Sequence, residues 1–297
     1  MCLPAKDVFK QLLDPLKEKY DATLRVAVST FITAIKRDEH ILISYSPDIK
    51  QNSICRFIEY ISCALLPLSI STIELDGTVR HSGYKEKFFT KQPKSNPSKA
   101  PKETLSPFTE NVCIVKNFDE IENDSIIKVM KELEFPVGEG SKSVPIPFLV
   151  VAIVPESVHL PRNTIAQFAF HINLKELNLK FPEIESPLYQ SYDSLVQSTM
   201  IPVFTHYDIT TYTSKLMLNV DCKPMLTSFL DVKTKLLLMK AVEDFAILNG
   251  RDFIIPDDVQ SIFSVLVSHK FLLPGYTSFE ACVAFANSIL QVVPVPV

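Results

Sequence analysis

Apolar residues recur three and four positions apart at Leu24, Ala27, Val28, Phe31 and Ile35, a spacing that gathers them on one face of a helix. A short apolar run, His40 to Ser44, follows and predicts a buried strand; a polar turn from Tyr45 to Gln51 comes next. Helical spacing returns at Ile54, Phe57, Ile58, Ile61 and Leu65. Further runs of strand length, rich in β-branched residues, lie at Leu68 to Leu75, Val112 to Val115, Phe148 to Val154 and Phe170 to Leu174. Between the runs at Val112 to Val115 and Phe148 to Val154, Ile126, Val129, Met130 and Leu133 repeat at helical spacing. Within the final run His171 alternates with Phe170 and Ile172, which predicts an outward-facing strand residue and not a metal ligand.

Buried strands alternating with helices predict an α/β fold: a mostly parallel five-stranded sheet with helices on both faces. Past residue 185 the strand signals stop. Thr205 to Asp208 has capping-box-like spacing and opens a helix to about Val220; a second helix spans about Leu230 to Leu248 and stops at Asn249-Gly250. Pro256-Asp257-Asp258 opens a third, with proline at the first position and two acids set against the helix dipole. The predicted organisation is an α/β core over 1–185, a small all-α domain over 186–273, and a C-terminal helix with a Val/Pro tail over 274–297. Within the core, 85–105 reads as an exposed basic insertion: from Lys85 to Lys102 there are six lysines, one glutamate and three prolines. An electrostatic arm for nucleic acid and a plain solvated loop are both open readings of it.

With 297 residues, 46% apolar and 22% charged, the chain has globular proportions, so disordered and fibrous classes are excluded. No apolar run reaches the ~20 residues of a membrane span, and the start MCLPAKDVF lacks a signal-peptide pattern. The expectation is an intracellular protein, cytoplasmic or nuclear, without a membrane partner. Six cysteines without a CxxC read as buried free thiols, and six scattered histidines give no metal-ligand spacing, so no metal is expected. Glycine changes the picture most. The six present are roughly 2% of the chain where ~7% is usual, and no two stand five apart as a GxxxxGK phosphate loop demands. A backbone that must bend around phosphates needs positions without a Cβ.

The phrase Ala246-Ile-Leu-Asn-Gly-Arg-Asp-Phe-Ile-Ile-Pro-Asp-Asp-Val259, with Leu160-Pro161 and Gln167-Phe168 upstream, resembles the lid and finger regions of MoxR-type AAA+ ATPases, relatives of the magnesium-chelatase ATPase subunit. The resemblance covers about residues 20 to 270 and implies an AAA+-like core and lid. It also implies where the chemistry should sit. In place of the GPPGxGKT loop stand Tyr45-Ser-Pro-Asp48-Ile-Lys50-Gln51-Asn52, so Gln51 replaces the phosphate-reaching lysine and Asn52 the magnesium-binding hydroxyl. Tyr45 and Asp48 replace glycines, and Lys50, one position early, lacks the glycine cradle. The strand-end Asp-Glu becomes Lys116-Asn117, of which the lysine repels a metal and the asparagine is a poor base. The finger arginine becomes Gln167 and the lid sensor arginine becomes Lys233.

From these losses the expectation is a pseudo-ATPase: no catalytic residues, no nucleotide or other cofactor, no enzyme activity, and a role in binding or scaffolding protein partners. Alternatives are an inactive subunit of a mixed AAA+ ring and a nucleic-acid-associated module using the lysines of 85–102. A narrower resemblance concerns the close of the chain, where Phe279 to Leu290 predicts an amphipathic helix before Val292-Val-Pro-Val-Pro-Val297. This layout is similar to the fungal telomere-capping maintenance proteins and implies telomere maintenance. The apolar tail fits docking onto a partner's sheet edge or groove and fits equally packing onto its own domain.

Overall fold

The computed structural model describes residues 7–13, 21–68, 70–74, 90–91, 105–106, 111–120, 149–158, 160–175, 177, 181, 186–221, 227–228, 230, 232–272 and 278–296. The expected helix around Ile126 to Leu133 and nearly all of the basic stretch 85–102 lie outside these residues. The elements are α1 (Val8–Leu13), α2 (Asp21–Arg37), β1 (Ile41–Tyr45), α3 (Gln51–Leu65), β2 (Ile70–Glu74), β3 (Thr90–Lys91), β4 (Leu105–Ser106), β5 (Val112–Lys116) and β6 (Leu149–Pro155). There follow α4 (Arg162–Ile165), β7 (Phe170–Leu174), α5 (Tyr192–Ser198), α6 (Tyr207–Asp221), β8 (Thr227–Ser228), α7 (Val232–Leu248), α8 (Pro256–Val267), β9 (Phe271–Leu272) and α9 (Phe279–Val292).

Five strands form one sheet in the order β2-β5-β6-β1-β7, every pair parallel, with β1 in register Ile41 to Val151 on one side and Ile41 to Phe170 on the other. Both faces are covered. Ile41, Ile43, Phe170 and Ile172 join the main core with α2 and α3, where Phe31, Ile35, Phe57 and Ile61 are fully buried. On the other face α8 and α9 lie over β7. Such burial explains why the strands read as continuous apolar runs without alternation. It also corrects the expectation for His171, which is 1% exposed: its ring nitrogens meet Ser44 Oγ at 2.8 Å and Ser268 Oγ at 3.1 Å, because the "outer" face of β7 is roofed by helices.

Helix ends follow local chemistry. Asp38, at φ 55°, turns the chain out of α2, and Gly250, at φ 77°, ends α7 with its amide on the Ile247 carbonyl. At α6 the cap differs from expectation by one residue: His206, one position after Thr205, accepts the Asp208 amide at 3.3 Å through Nδ1. Pro256 opens α8 as expected, and Asp258 Oδ2 reaches back to the Ile255 amide at 2.9 Å while gripping Arg251 at 2.7 and 2.5 Å. Core and helical parts are joined by a buried ion pair, Lys36 Nζ of α2 with Asp244 of α7, whose second oxygen accepts Thr33 Oγ1 at 3.1 Å. No helix among the described residues is long and apolar enough to cross a membrane.

Candidate functional site

Parallel strands put the ends of β1, β5 and β6 on one edge of the sheet, and there the loop 46–50 crosses to the start of α3. The loop is held without glycine. The Ser46 amide bonds the Leu174 carbonyl at 3.0 Å, the Ile49 amide bonds the Ser46 carbonyl at 2.9 Å, and the Ile49 side chain is buried beneath. Asp48 and Lys50 are exposed on its rim. Lys50 occupies the N-cap of α3 with an extended backbone; no side chain caps the helix, and no acid stands in its first turn. The positive end of a 15-residue helix therefore opens onto the loop.

The replaced positions meet one another across this edge. Gln51 Nε2 donates to Tyr45 Oη at 2.7 Å and to Asn117 Oδ1 at 2.8 Å. Lys116 Nζ donates to Asn52 Oδ1 at 2.9 Å in an exposed contact. Asn117 takes a left-handed φ of 51°, which a short polar side chain tolerates, and so turns the chain sharply off β5 into the single turn Phe118–Glu120. Asp119 thus lies in the turn after the strand. At the strand end an ammonium stands where the resemblance puts a metal-binding carboxylate, a donor set that opposes a magnesium ion there.

Gln167 and Lys233 are elsewhere. Both line a cavity of about 470 Å³ where α2, the segment before β7 and α7 meet, beside His40 and Ala169 at the opposite ends of β1 and β7. Gln167 Nε2 reaches the Asn163 carbonyl at 3.3 Å, and Lys233 pairs with Glu39 at 2.7 Å. A five-residue strand separates the two places by roughly 15 Å, so within one chain they do not share a ligand.

A group not singled out from the sequence also stands at the loop edge. Glu156 follows β6, its amide bonds the Tyr45 carbonyl at 2.9 Å, and its carboxylate meets Lys175 Nζ at 2.6 Å. Lys175 also reaches Glu280 of α9 at 2.8 Å. Burial works against the lysine's charge, yet hydrogen bonds and charges from both glutamates raise its pKa above the ordinary value. The signal was present as Pro155-Glu156 closing an apolar run, but a lone acid after a strand is common. Behind the sheet His171 is pushed down to about 3 by burial, and His269, bonded to the Phe168 carbonyl at 3.0 Å, is lowered well below the usual range by burial, then by Lys270 and His171. Both are neutral structural groups at neutral pH.

Comparison with known proteins gives three findings. Residues 230–280 match the AAA lid domain family. The uncharacterized protein YeaC of Bacillus subtilis (strain 168) is 39% identical over 62 residues, 20% of this chain and 19% of the relative. The chain thus spans about a fifth of that relative's length in the match. The crystal structure of a "putative ATPase" from Cytophaga hutchinsonii ATCC 33406 superposes with a TM-score of 0.70 at 15% identity, covering 99% of this chain and 96% of the other. The fold is AAA+-like: an α/β core with a parallel sheet and a C-terminal helical lid region. The expectation of a protein that is not an enzyme is overturned, since the lid match and the shared fold point to an ATPase. That expectation equated replaced side chains with absent chemistry, whereas the replacements form an ordered polar site bearing cations at the end of the sheet.

Proposed function

We propose that the chain is an AAA+-type ATPase whose phosphate-binding end works with cations and helix amides in place of a glycine cradle and a metal. The observation that carries this reading is the convergence of Lys50, Lys116 and the uncapped start of α3 on one loop edge. A polyphosphate meets positive charge from three directions there. Lys116 exchanges its exposed contact with Asn52 for a phosphate oxygen, and Lys50 swings in from the N-cap. In hydrolysis a water oxygen bonds the terminal phosphorus and passes its proton to an oxygen of the phosphate being transferred, while the bond to the bridging oxygen breaks and the diphosphate leaves with the electron pair. The two ammonium groups offset the charge that builds on the leaving side. Phosphate release from ATP by the full chain tests this. The reading expects slow turnover that persists in chelator and falls at least tenfold in Lys116→Met; no turnover above the blank refutes it.

A second reading concerns assembly. Gln167 and Lys233 face a polar cavity at the far end of the sheet from the loop, out of reach of a ligand bound there. Their distance from the loop supports a role toward a neighbouring subunit in a mixed AAA+ assembly. Sedimentation of the chain with a candidate AAA+ partner tests it; Lys233→Ala is expected to weaken the complex or its turnover, and the absence of any effect counts against it.

A further inference from the structure

We propose that the surface around Phe204 and Phe253 is a docking site for a protein partner that presents an apolar anchor flanked by lysine or arginine. Five of the large apolar side chains that the chain leaves exposed belong to two short segments: Met200, Ile201, Phe204, Tyr207 and Phe253, with Met200 at 72%, Phe204 at 65% and Tyr207 at 78% exposure. The segments are tied together. The Phe204 amide bonds the Asp252 carbonyl at 2.7 Å and the Ile254 amide bonds the Phe204 carbonyl at 3.1 Å, so the two phenylalanines stand as partners across a rigid parallel bridge. Exposed aromatic side chains held in place by backbone bonds, with further exposed apolar residues close by in sequence, have the composition of interface hot spots.

Charge around the patch selects the partner. Asp208, Asp252 and Asp257 are exposed on its margin. Arg251 lies over the Phe253 ring at 5.9 Å, and its charge is met by Asp258, whose carboxylate holds the guanidinium. The margin is therefore acidic, repels anionic surfaces and attracts basic residues beside the anchor. An anionic membrane is disfavoured on the same ground. The inference is independent of the proposed phosphate site.

The test uses two synthetic 16-residue amphipathic peptides with the same Leu/Phe face, one with lysines on the polar face and one with glutamates, titrated onto the full chain by fluorescence anisotropy. The lysine peptide is expected to bind at least tenfold more tightly than the glutamate peptide, and to weaken at least tenfold in Phe204→Ser. Because that variant risks local disorder, the double variant Asp208→Lys, Asp252→Lys, which alters only exposed side chains, is expected to reverse the peptide preference. Equal binding of both peptides, binding unchanged in these variants, or a stronger preference for anionic vesicles than for the lysine peptide overturns the proposal.

Discussion

Gln51 Nε2 lies 2.8 Å from Asn117 Oδ1, joining the first residue of α3 to the residue that follows β5. These residues are 66 apart in the chain, and the bond closes the loop edge proposed above to hold phosphate. Asn117 makes this bond from a left-handed backbone, so its two roles are separable. Asn117→Gly keeps the backbone and loses the side-chain bond to Gln51, with an expected cost of about 1 kcal/mol. Asn117→Val loses the bond and adds left-handed strain, with an expected further cost of about 1–2 kcal/mol. Urea unfolding of the two variants checks the order; equal stability would show that the conformation carries no strain.

The ion pair between Lys36 and Asp244, with both side chains under 10% exposed at 6% and 3%, ties the core to the lid region. Removing one partner strands a buried charge. Asp244→Ala is expected to cost about 3–5 kcal/mol, while Lys36→Met with Asp244→Leu recovers most of it, because the desolvation penalty leaves with the pair. A double-mutant cycle by thermal unfolding measures this, and additive losses would contradict it.

His171 makes stability depend on acid. Its folded pKa, about 3, lies below the ordinary 6.5, so the unfolded chain takes up the proton first. Its contribution is complete above pH 6.5 and is lost as pH falls from there toward 3. The slope expected from this one group is about 1.4 kcal/mol per pH unit in the middle of that window. In His171→Asn, which retains hydrogen-bonding groups for Ser44 and Ser268, the fall in stability below pH 6 should be shallower by that amount, as followed by denaturant midpoints. His269 continues to contribute in the variant, so a residual slope is expected.

Asp48 stands exposed on the loop rim among the cations, where its charge opposes an incoming phosphate. Asp48→Asn removes that charge with nearly the same shape. ATP affinity is expected to rise on the order of threefold to tenfold at low salt and less at high salt. Binding measured at two ionic strengths checks both parts.

Much of the fold was legible because two-sided burial writes itself into sequence. Every long helix and all five sheet strands announce themselves by spacing or by apolar runs, and Pro256 and Gly250 mark their ends. What escaped was short or dependent on distant partners. α1 has six residues, less than two helical turns, and β3, β4, β8 and β9 have two each, too few for any period. His171 was misplaced because alternation tells faces apart but not which face is roofed. The site residues were found through their positions in familiar phrases, which revealed what had been replaced. That Gln51, Tyr45 and Asn117 bond one another, and Lys116 bonds Asn52, depends on the meeting of β1, β5 and α3, and no local pattern records it.

Calorimetric titration of ATP into the full chain, with magnesium and with chelator, tests the central claim most directly. The account predicts binding of similar strength in both conditions, weakened at least tenfold in Lys116→Met and again in Lys50→Met. Binding that requires magnesium and is indifferent to both lysines, or no binding at millimolar ATP, contradicts it.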